Sequence, residues 1–244
     1  MDGICKMCGT AGKLCNSHII PELCYLAAYD NLHRTTKFQA EPNSKRLIQK
    51  GIREYLLCQN CETHLSKIEN DFKDYWYGRP ALPLQITTPE IIISGFDYSV
   101  FKLFHLSILW RASVATSDAF NTVSLGPYED KLRQMLLSED PGRENQFPMY
   151  AQVLLSDQAG TVAYGLVGKP QRSKYDQAIV YYTAYAGCEW VVMVTENPTR
   201  QESELLPFAP TAGGKMVLAV IPLQMSNTVK IFSEQYVDGN PGEK

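Results

Sequence analysis

Two cysteine pairs constrain the fold of this chain more than any other feature of its sequence. Cys5 and Cys8 form the first Cys-x-x-Cys pair, and Cys58 and Cys61 form the second. Each pair can make a tight turn that directs two thiolates at one point, and two such turns complete a tetrahedral site suited to Zn2+. Gly9 fits the first turn, because the chain usually needs a positive φ there. The sequence therefore predicts one structural zinc ion bound by these four cysteines.

Other uses of the cysteines are less consistent with the sequence. A redox pair of the thioredoxin kind would follow a strand and open a helix in a βαβ pattern, and neither pair does so. Cys15 and His18 also have metal-ligand spacing, and together with Cys24 or His33 they would make a second zinc site. We instead expect Cys15 and Cys24 to be small buried residues, as free cysteines usually are.

Length and composition describe an ordinary globular protein. The 244 residues are 45% hydrophobic and 20% charged, enough for one large domain or two modest ones. Seven cysteines, four of them at metal spacing, fit a reducing cytoplasm better than secretion. The sequence has no apolar run of membrane-spanning length, and its N-terminus lacks the pattern of a signal peptide. We therefore expect a cytoplasmic protein with no membrane segment.

The charges are unevenly distributed along the chain. The net charge of −3 argues against a protein coated in basic surface. Residues 1–80 carry 11 Lys and Arg against 9 Asp and Glu, whereas residues 81–244 carry 12 against 17. Within residues 34–53 there are six basic residues and one acidic residue. This segment is the one local basic patch of the sequence, and it lies between the two cysteine pairs.

Hydrophobic periodicity divides the chain into an N-terminal module, 1–80, and a larger region, 81–244. In the module we expect a hairpin at 4–16, a strand at 52–57 and, after Cys61, a helix that ends before Pro80. Two further helices are predicted at 101–115, which is apolar nearly all round, and at 127–137, which is amphipathic. Five β-rich runs follow, at 150–155, 161–168, 178–185, 189–195 and 216–221. The predicted fold class is α+β: a zinc-bound N-terminal module, a helix pair and an antiparallel β-rich C-terminal region.

Two polar residues lie within the apolar helix predicted at 101–115. We expect His105 to be a hydrogen-bonded core histidine, because a lone histidine among apolar residues is seldom a ligand. Arg111 stands next to Trp110, and we expect it to pack there or to pair with a carboxylate.

The order of three motifs resembles that of the HNH, or ββα-metal, nuclease superfamily. These motifs are Cys-x-x-Cys-Gly, then Ser-His-Ile-Ile-Pro at 17–21, then Leu-Leu-Cys-x-x-Cys-Glu at 56–62. The resemblance covers about residues 4–75 and implies a zinc-bound, treble-clef-like ββα module there. The chain also looks like a subgroup of uncharacterised bacterial proteins that join this module to a Phe-x-x-Ser-Ile-Leu-Trp-Arg helix, which corresponds here to Phe104–Arg111.

The resemblance implies a set of catalytic residues. His18 would be the general base that activates water, and the helix after the second pair would supply a ligand to a catalytic Mg2+ or Mn2+. Ser17 stands where the family usually has Asp, Glu or His, and Glu62 replaces the common His or Asn. A metal could instead be held by Glu62, His64 and Glu69. The alternatives are an ordinary solvated helix surface for these three residues, and for His18 a buried histidine that braces the hairpin.

Two functions from different classes follow. The first is a metal-dependent HNH-like endonuclease with DNA as substrate, or RNA as the second choice, which the resemblance would place among bacterial anti-phage defence effectors. Its basic segment would contact phosphates, and its C-terminal region could bind a protein partner. The second is a zinc-finger binding or scaffold protein whose nuclease site has decayed. The expected nucleic-acid contacts are Lys45, Arg46, Lys50 and Arg53.

Overall fold

The computed structural model describes residues 1–32, 35–38, 45–48, 51–79 and 81–238, which form a mixed α+β fold. The strands are β1 (Asp2–Ile4), β2 (Ala11–His18), β3 (Thr35–Phe38), β4 (Lys45–Ile48), β5 (Arg53–Cys58), β6 (Glu90–Ser94), β7 (Met149–Leu155), β8 (Gln171–Tyr175), β9 (Ala178–Tyr185), β10 (Cys188–Val194) and β11 (Lys215–Pro222). The α-helices are α1 (Gln59–Lys73), α2 (Tyr98–Val114), α3 (Tyr128–Ser138), α4 (Arg200–Ser203) and α5 (Asn227–Asp238). A 3-10 helix spans Glu22–Ala28, and a π-helical turn, Asp74–Gly78, extends α1. None of these helices is both long and apolar enough to cross a bilayer.

The N-terminal sheet contains β1, β2 and β5, all antiparallel, and it confirms the antiparallel pairing expected near the first cysteine pair. The first cysteine pair lies in the loop between β1 and β2. Strand β5 runs directly into α1, so the second pair lies where the sheet meets the helix. A register shift between Cys15 and Asn16 separates the two halves of the β2–β5 ladder, and beyond it His18 pairs with Arg53.

The larger sheet has six strands in the order β6-β11-β7-β10-β9-β8. Four of the five neighbouring pairs are antiparallel, as expected for this region, and one pair, β11 and β7, is parallel. Parallel pairing arises because β11 reaches the sheet after a long connection and not through a hairpin.

The strand predicted at 161–168 does not form, so this prediction was wrong. Only Thr161 and Val162 pair with neighbouring chain, as isolated bridges, and then the chain leaves the sheet. Gly165 approaches the backbone of the 3-10 helix so closely that a Cβ there would lie 3.3 Å from the Ala27 carbonyl oxygen. The edge strand beside β9 is instead β8. It was not predicted because its sequence is polar, which an edge strand tolerates since much of its surface is exposed to water.

The main hydrophobic core extends from the cysteine turns to β11. Helix α2 begins at its N-cap Asp97, whose side chain accepts a hydrogen bond from the Val100 amide, and most of its residues are buried on all sides. From α1, Phe72 stacks on Phe104 of α2, with ring centroids 3.8 Å apart. The Trp76 indole donates to the Ala186 carbonyl oxygen at 3.1 Å. The N-terminal module and the larger sheet therefore pack against the same buried helix.

Candidate functional site

The four cysteines of the two pairs come together in space. Their sulfur atoms all lie within 4.8 Å of one another, and the sulfurs of Cys8 and Cys58 are 3.8 Å apart. A tetrahedral ion with Zn–S bonds of about 2.3 Å places its sulfurs about 3.8 Å apart, so this spacing suits a metal and is far too long for a disulfide. The four cysteines could hold a structural metal ion such as zinc.

Local backbone geometry explains how the first pair reaches this point. Gly9 has φ +75°, as its place after Cys8 predicted, and its amide donates to the Cys5 carbonyl oxygen at 2.9 Å. The Lys6 amide donates to the Leu56 carbonyl oxygen at 3.0 Å, which joins the first turn to β5. Because β5 ends at Cys58, this bond sets the two pairs opposite each other.

The environment of Cys8, which lies at the surface, favours a thiolate. Hydrogen bonds from the side chain and backbone of Thr10 lower the pKa of Cys8 to about 6, and the thiolate is the form that binds metal. Burial raises the pKa of Cys61, whose deprotonation would therefore depend on a bound cation. Cys61 lies in the first turn of α1, where the positive end of the helix dipole also favours an anion.

The remaining N-terminal cysteines are outside this group. Cys24 is buried, and Cys15 is partly buried, with its sulfur 3.5 Å from the Gln59 side-chain oxygen. Over the part of the chain that the structure describes, the four-cysteine group is the one set of three or more Cys, His, Asp or Glu residues that could share an ion. His33, which was weighed for a second site, lies outside the described residues.

His18 stands at the end of β2 in a polar cluster, which we call the His18 surface (His18, Glu22 and Arg53). Arg53 donates from Nε to His18 Nε2 at 2.8 Å, and its Nη2 contacts the Glu22 carboxylate at 3.3 Å. The same carboxylate lies 3.7 Å from His18 Nε2. Side-chain exposures of 16% for His18, 24% for Arg53 and 49% for Glu22 leave the cluster open to solvent. A ring nitrogen that accepts a hydrogen bond carries no proton, so this arrangement corresponds to neutral His18.

The residue before His18 is turned inward. Ser17 is fully buried, and its hydroxyl donates to the Glu62 carboxylate at 2.6 Å. This bond joins β2 to the first turn of α1. Glu62, which the sequence offered as a catalytic residue, therefore has a structural partner already.

Arg111 holds the backbone of His18. Its Nη1 lies 2.8 Å from the Glu69 carboxylate and donates to the His18 carbonyl oxygen at 3.1 Å. The expectation that Arg111 pairs with a carboxylate is confirmed. Because the Arg111 side chain is only 2% exposed, one buried cation ties α2, α1 and the end of β2 together.

Breaking this pair should be costly. We expect Arg111→Met to lower the free energy of unfolding by about 3–5 kcal/mol, because Glu69 and the His18 carbonyl would lose a buried partner. Urea unfolding followed by tryptophan fluorescence measures the loss. Lys131→Met is the matched control, since it breaks the Lys131–Glu196 pair, whose side chains are 47% and 29% exposed, and should cost about 0–1 kcal/mol. Equal losses in the two variants would contradict the role assigned to Arg111.

His64 faces another part of the molecule. Its Nε2 lies 2.7 Å from the Leu136 carbonyl oxygen at the end of α3, and its Nδ1 lies 3.4 Å from the Glu139 carboxylate. Both ring nitrogens are thus in contact with α3 and the residue after it. These contacts give His64 a role in joining α1 to α3.

The basic segment is described in part. Lys45 and Arg46 begin β4, and the ladder places Arg46 directly opposite Lys37. Arg53 belongs to the His18 surface, whereas Lys50 lies outside the described residues.

Sequence analysis missed Glu22 as a member of the His18 surface. The signal for Glu22 was an acidic residue directly after the Ser-His-Ile-Ile-Pro motif. His105 is a core histidine, as expected, but only its Nδ1 is bonded, to the Tyr185 hydroxyl, and Nε2 lacks a partner among the described residues. Burial holds the pKa of His105 well below its usual value, so the ring is neutral.

Comparison of the chain with protein-family models, with curated proteins and with solved structures found no match.

Proposed function

We propose that this protein is a phosphodiester hydrolase acting on DNA or RNA, with a zinc-stabilised N-terminal module and with His18 as the general base. The observation that carries the proposal is the His18 surface: a neutral imidazole, a guanidinium and a carboxylate that are mutually in contact and open to solvent. Hydrolysis of a phosphodiester needs a base that activates water and a positive charge near the phosphate. These two groups are adjacent here.

Each member of the His18 surface has a distinct task in this proposal. His18 takes a proton from water at Nε2, once Arg53 turns from the ring to a phosphate oxygen. Arg53 then stabilises the charge that develops on that phosphate, a task for which the guanidinium is well suited. Glu22 supplies an exposed carboxylate oxygen beside the base, where a divalent cation could bind. Such a cation would stabilise the charge on the leaving oxygen.

The rigidity of the module supports the same proposal. The His18 carbonyl is held by Arg111, and the preceding Ser17 is held by Glu62. A base that acts on a bound substrate must keep its position within a fraction of an ångström, and contacts on both sides of the residue serve that purpose. The four cysteines, with zinc as the proposed ion, fix the β1–β2 loop and the start of α1 in the same way.

A second candidate is a nucleic-acid-binding scaffold without catalysis. The observation that favours it is the engagement of Glu62 by Ser17 and of Glu69 by Arg111, because these carboxylates are then not free to bind a catalytic metal. In that case the His18 surface would bind phosphate and leave it intact.

The test separates the two candidates directly. Full-length protein is incubated with labelled duplex DNA, single-stranded DNA and RNA in the presence of Mg2+, Mn2+ or Ni2+, and both binding and cleavage are measured. Metal-dependent cleavage is expected for the hydrolase. Binding without cleavage would reject the hydrolase and favour the scaffold, and the absence of binding to all three substrates would contradict both.

The basic segment gives a separate prediction for binding. We expect the double variant Lys45→Glu, Arg46→Glu to bind nucleic acid more weakly and to flatten the salt dependence of the binding constant by about one unit of slope per lost phosphate contact. Fluorescence anisotropy over a range of salt concentrations measures both effects.

The control reverses two basic charges on a different part of the surface. Arg172 and Lys174 are exposed on the edge strand β8, and Arg172→Glu, Lys174→Glu should leave the slope unchanged. If both double variants lose affinity equally, the effect is one of net charge, and the basic segment is not the binding surface.

A further inference from the structure

The outer face of the six-stranded sheet, which is the face turned away from α2, carries a cavity of about 310 Å3. Its floor is apolar and includes Val180, Val191 and Met193. Tyrosine and amide side chains border this floor, and Phe208, which is 41% exposed, lines the cavity from the segment after α4. The volume lies at the lower end of the range for small-molecule sites. We call this space the outer cavity.

Strand alternation explains why the sheet has two different faces. On β10, Trp190 and Val192 point into the main core, whereas Val191 and Met193 belong to a separate cluster on the outer face. On β7, Tyr150 belongs to that outer cluster. Successive side chains of a strand point to opposite faces, so a strand with apolar residues at every position is covered on both sides. The outer face is thus built to be covered as well.

Two buried carboxylates hold the borders of the outer cavity in place. Glu189 is fully buried and accepts hydrogen bonds from the Ser226 hydroxyl and from the amides of Asn227 and Thr228, which fixes the start of α5. Glu202, which is 1% exposed, accepts from the amides of Gln177, Ala178 and Thr199 and fixes the segment before Leu205. Because Asn227 and Leu205 line the cavity, these bonds make it a preformed space.

One polar group of the cavity wall lacks a partner. Tyr150 lines the outer cavity and is only 7% exposed, and its hydroxyl has no hydrogen-bond partner in the described part of the chain. A buried hydroxyl without a partner is unfavourable, because it has lost its hydrogen bonds to water and gained none in the protein. A ligand with a hydrogen-bonding edge would remove that cost. Burial also raises the pKa of Tyr150, so the hydroxyl keeps its proton and can donate it.

The remaining polar groups define the ligand. Gln152 and Asn227 offer amides, which both donate and accept, and Tyr175 and Tyr182 offer rings with hydroxyls. The described lining includes no charged side chain. A charged ligand would lose its hydration there without gaining a counterion, whereas a neutral ring would stack on the tyrosines and pair with the amides.

We propose that the outer cavity binds a neutral planar heterocycle with hydrogen-bond donors and acceptors on its edge, which is the chemistry of a free nucleobase or nucleoside. The site uses no residue of the N-terminal module, so it is independent of the hydrolase proposed above. Ligand binding there would give the larger sheet a recognition function of its own.

The test uses the full chain and the four common ribonucleosides, each compared with its 5′-monophosphate, with affinity measured by isothermal titration calorimetry. At least one nucleoside should bind, and its monophosphate should bind at least about tenfold more weakly, because the described lining offers the phosphate no cation. Ala219→Phe, which fills the cavity from β11, should abolish binding. Ile92→Phe, on β6 outside the cavity, is the matched control and should leave the affinity unchanged.

Tyr150→Phe keeps the test decisive if the cavity-filling variant fails to fold. It removes only the hydroxyl and should weaken nucleoside binding by roughly 2- to 10-fold, without lowering the melting temperature, because the hydroxyl has no protein partner to lose. The absence of nucleoside binding at millimolar concentration would overturn the proposal. Nucleoside binding that is unchanged in Tyr150→Phe, or that survives Ala219→Phe, would overturn it as well.

Discussion

Replacing Cys58 by serine should unfold the N-terminal module and abolish stoichiometric zinc binding. The four sulfurs lie within 4.8 Å of one another, and a structural zinc site of this kind supplies about 10–16 kcal/mol of apparent binding free energy, which is also folding free energy. Because the hydrophobic core runs without a break from the cysteine turns to β11, the damage should extend to the environment of Trp76. Inductively coupled plasma mass spectrometry measures the zinc content. Thermal melting followed by tryptophan fluorescence measures the loss of structure.

Cys15→Ser is the matched control for this experiment. Cys15 lies near the four-sulfur group but is not part of it, and its sulfur contacts the Gln59 side chain. This variant should keep one zinc ion per chain and melt close to the wild type. A Cys58→Ser protein that retains one zinc ion and an unchanged melting temperature would show that the four cysteines do not form a structural metal site.

Replacing His18 by alanine should reduce metal-dependent cleavage of nucleic acid by about 10²–10⁴-fold, the usual contribution of a general base. Zinc content and melting temperature should change little. The His18 ring is hydrogen-bonded to Arg53, which is partly exposed and can bond to water when the ring is removed. The bond from Arg111 is accepted by the His18 backbone carbonyl, which the alanine variant keeps. Initial cleavage rates at saturating substrate, measured beside thermal melts, provide the comparison.

His64→Ala is the control for this experiment, because His64 joins α1 to α3 and is not the proposed base. Its ring contacts Leu136 and Glu139, so this variant should melt at a lower temperature and cleave at nearly the wild-type rate wherever it is folded. A folded His64→Ala protein without activity would place His64 in the catalytic site. A His18→Ala protein that loses both its zinc and its stability would assign His18 to bracing of the hairpin.

Elements whose cause is local could be predicted from the sequence. Two Cys-x-x-Cys spacings and the glycine after the first were enough to predict the four-sulfur group and the positive φ of Gly9. An apolar pattern on all sides predicted the buried helix α2, and a one-sided pattern predicted the amphipathic helix α3, whose Leu132, Met135 and Leu136 are buried. These features depend on residues a few positions apart, and their periodicity can be read along the chain.

The contacts between distant side chains depend on the tertiary structure. Arg111 reaches the carbonyl of His18 from 93 positions away, and His64 reaches Leu136 from 72. The partner of His18 depended on the register shift between Cys15 and Asn16, since a slip of one residue exchanges the two faces of a strand. The outer cavity likewise required that β11 pair in parallel with β7 and that two buried carboxylates fix the segments around it. Such contacts join segments with no sequence pattern in common, so only the packing of the whole chain brings them together.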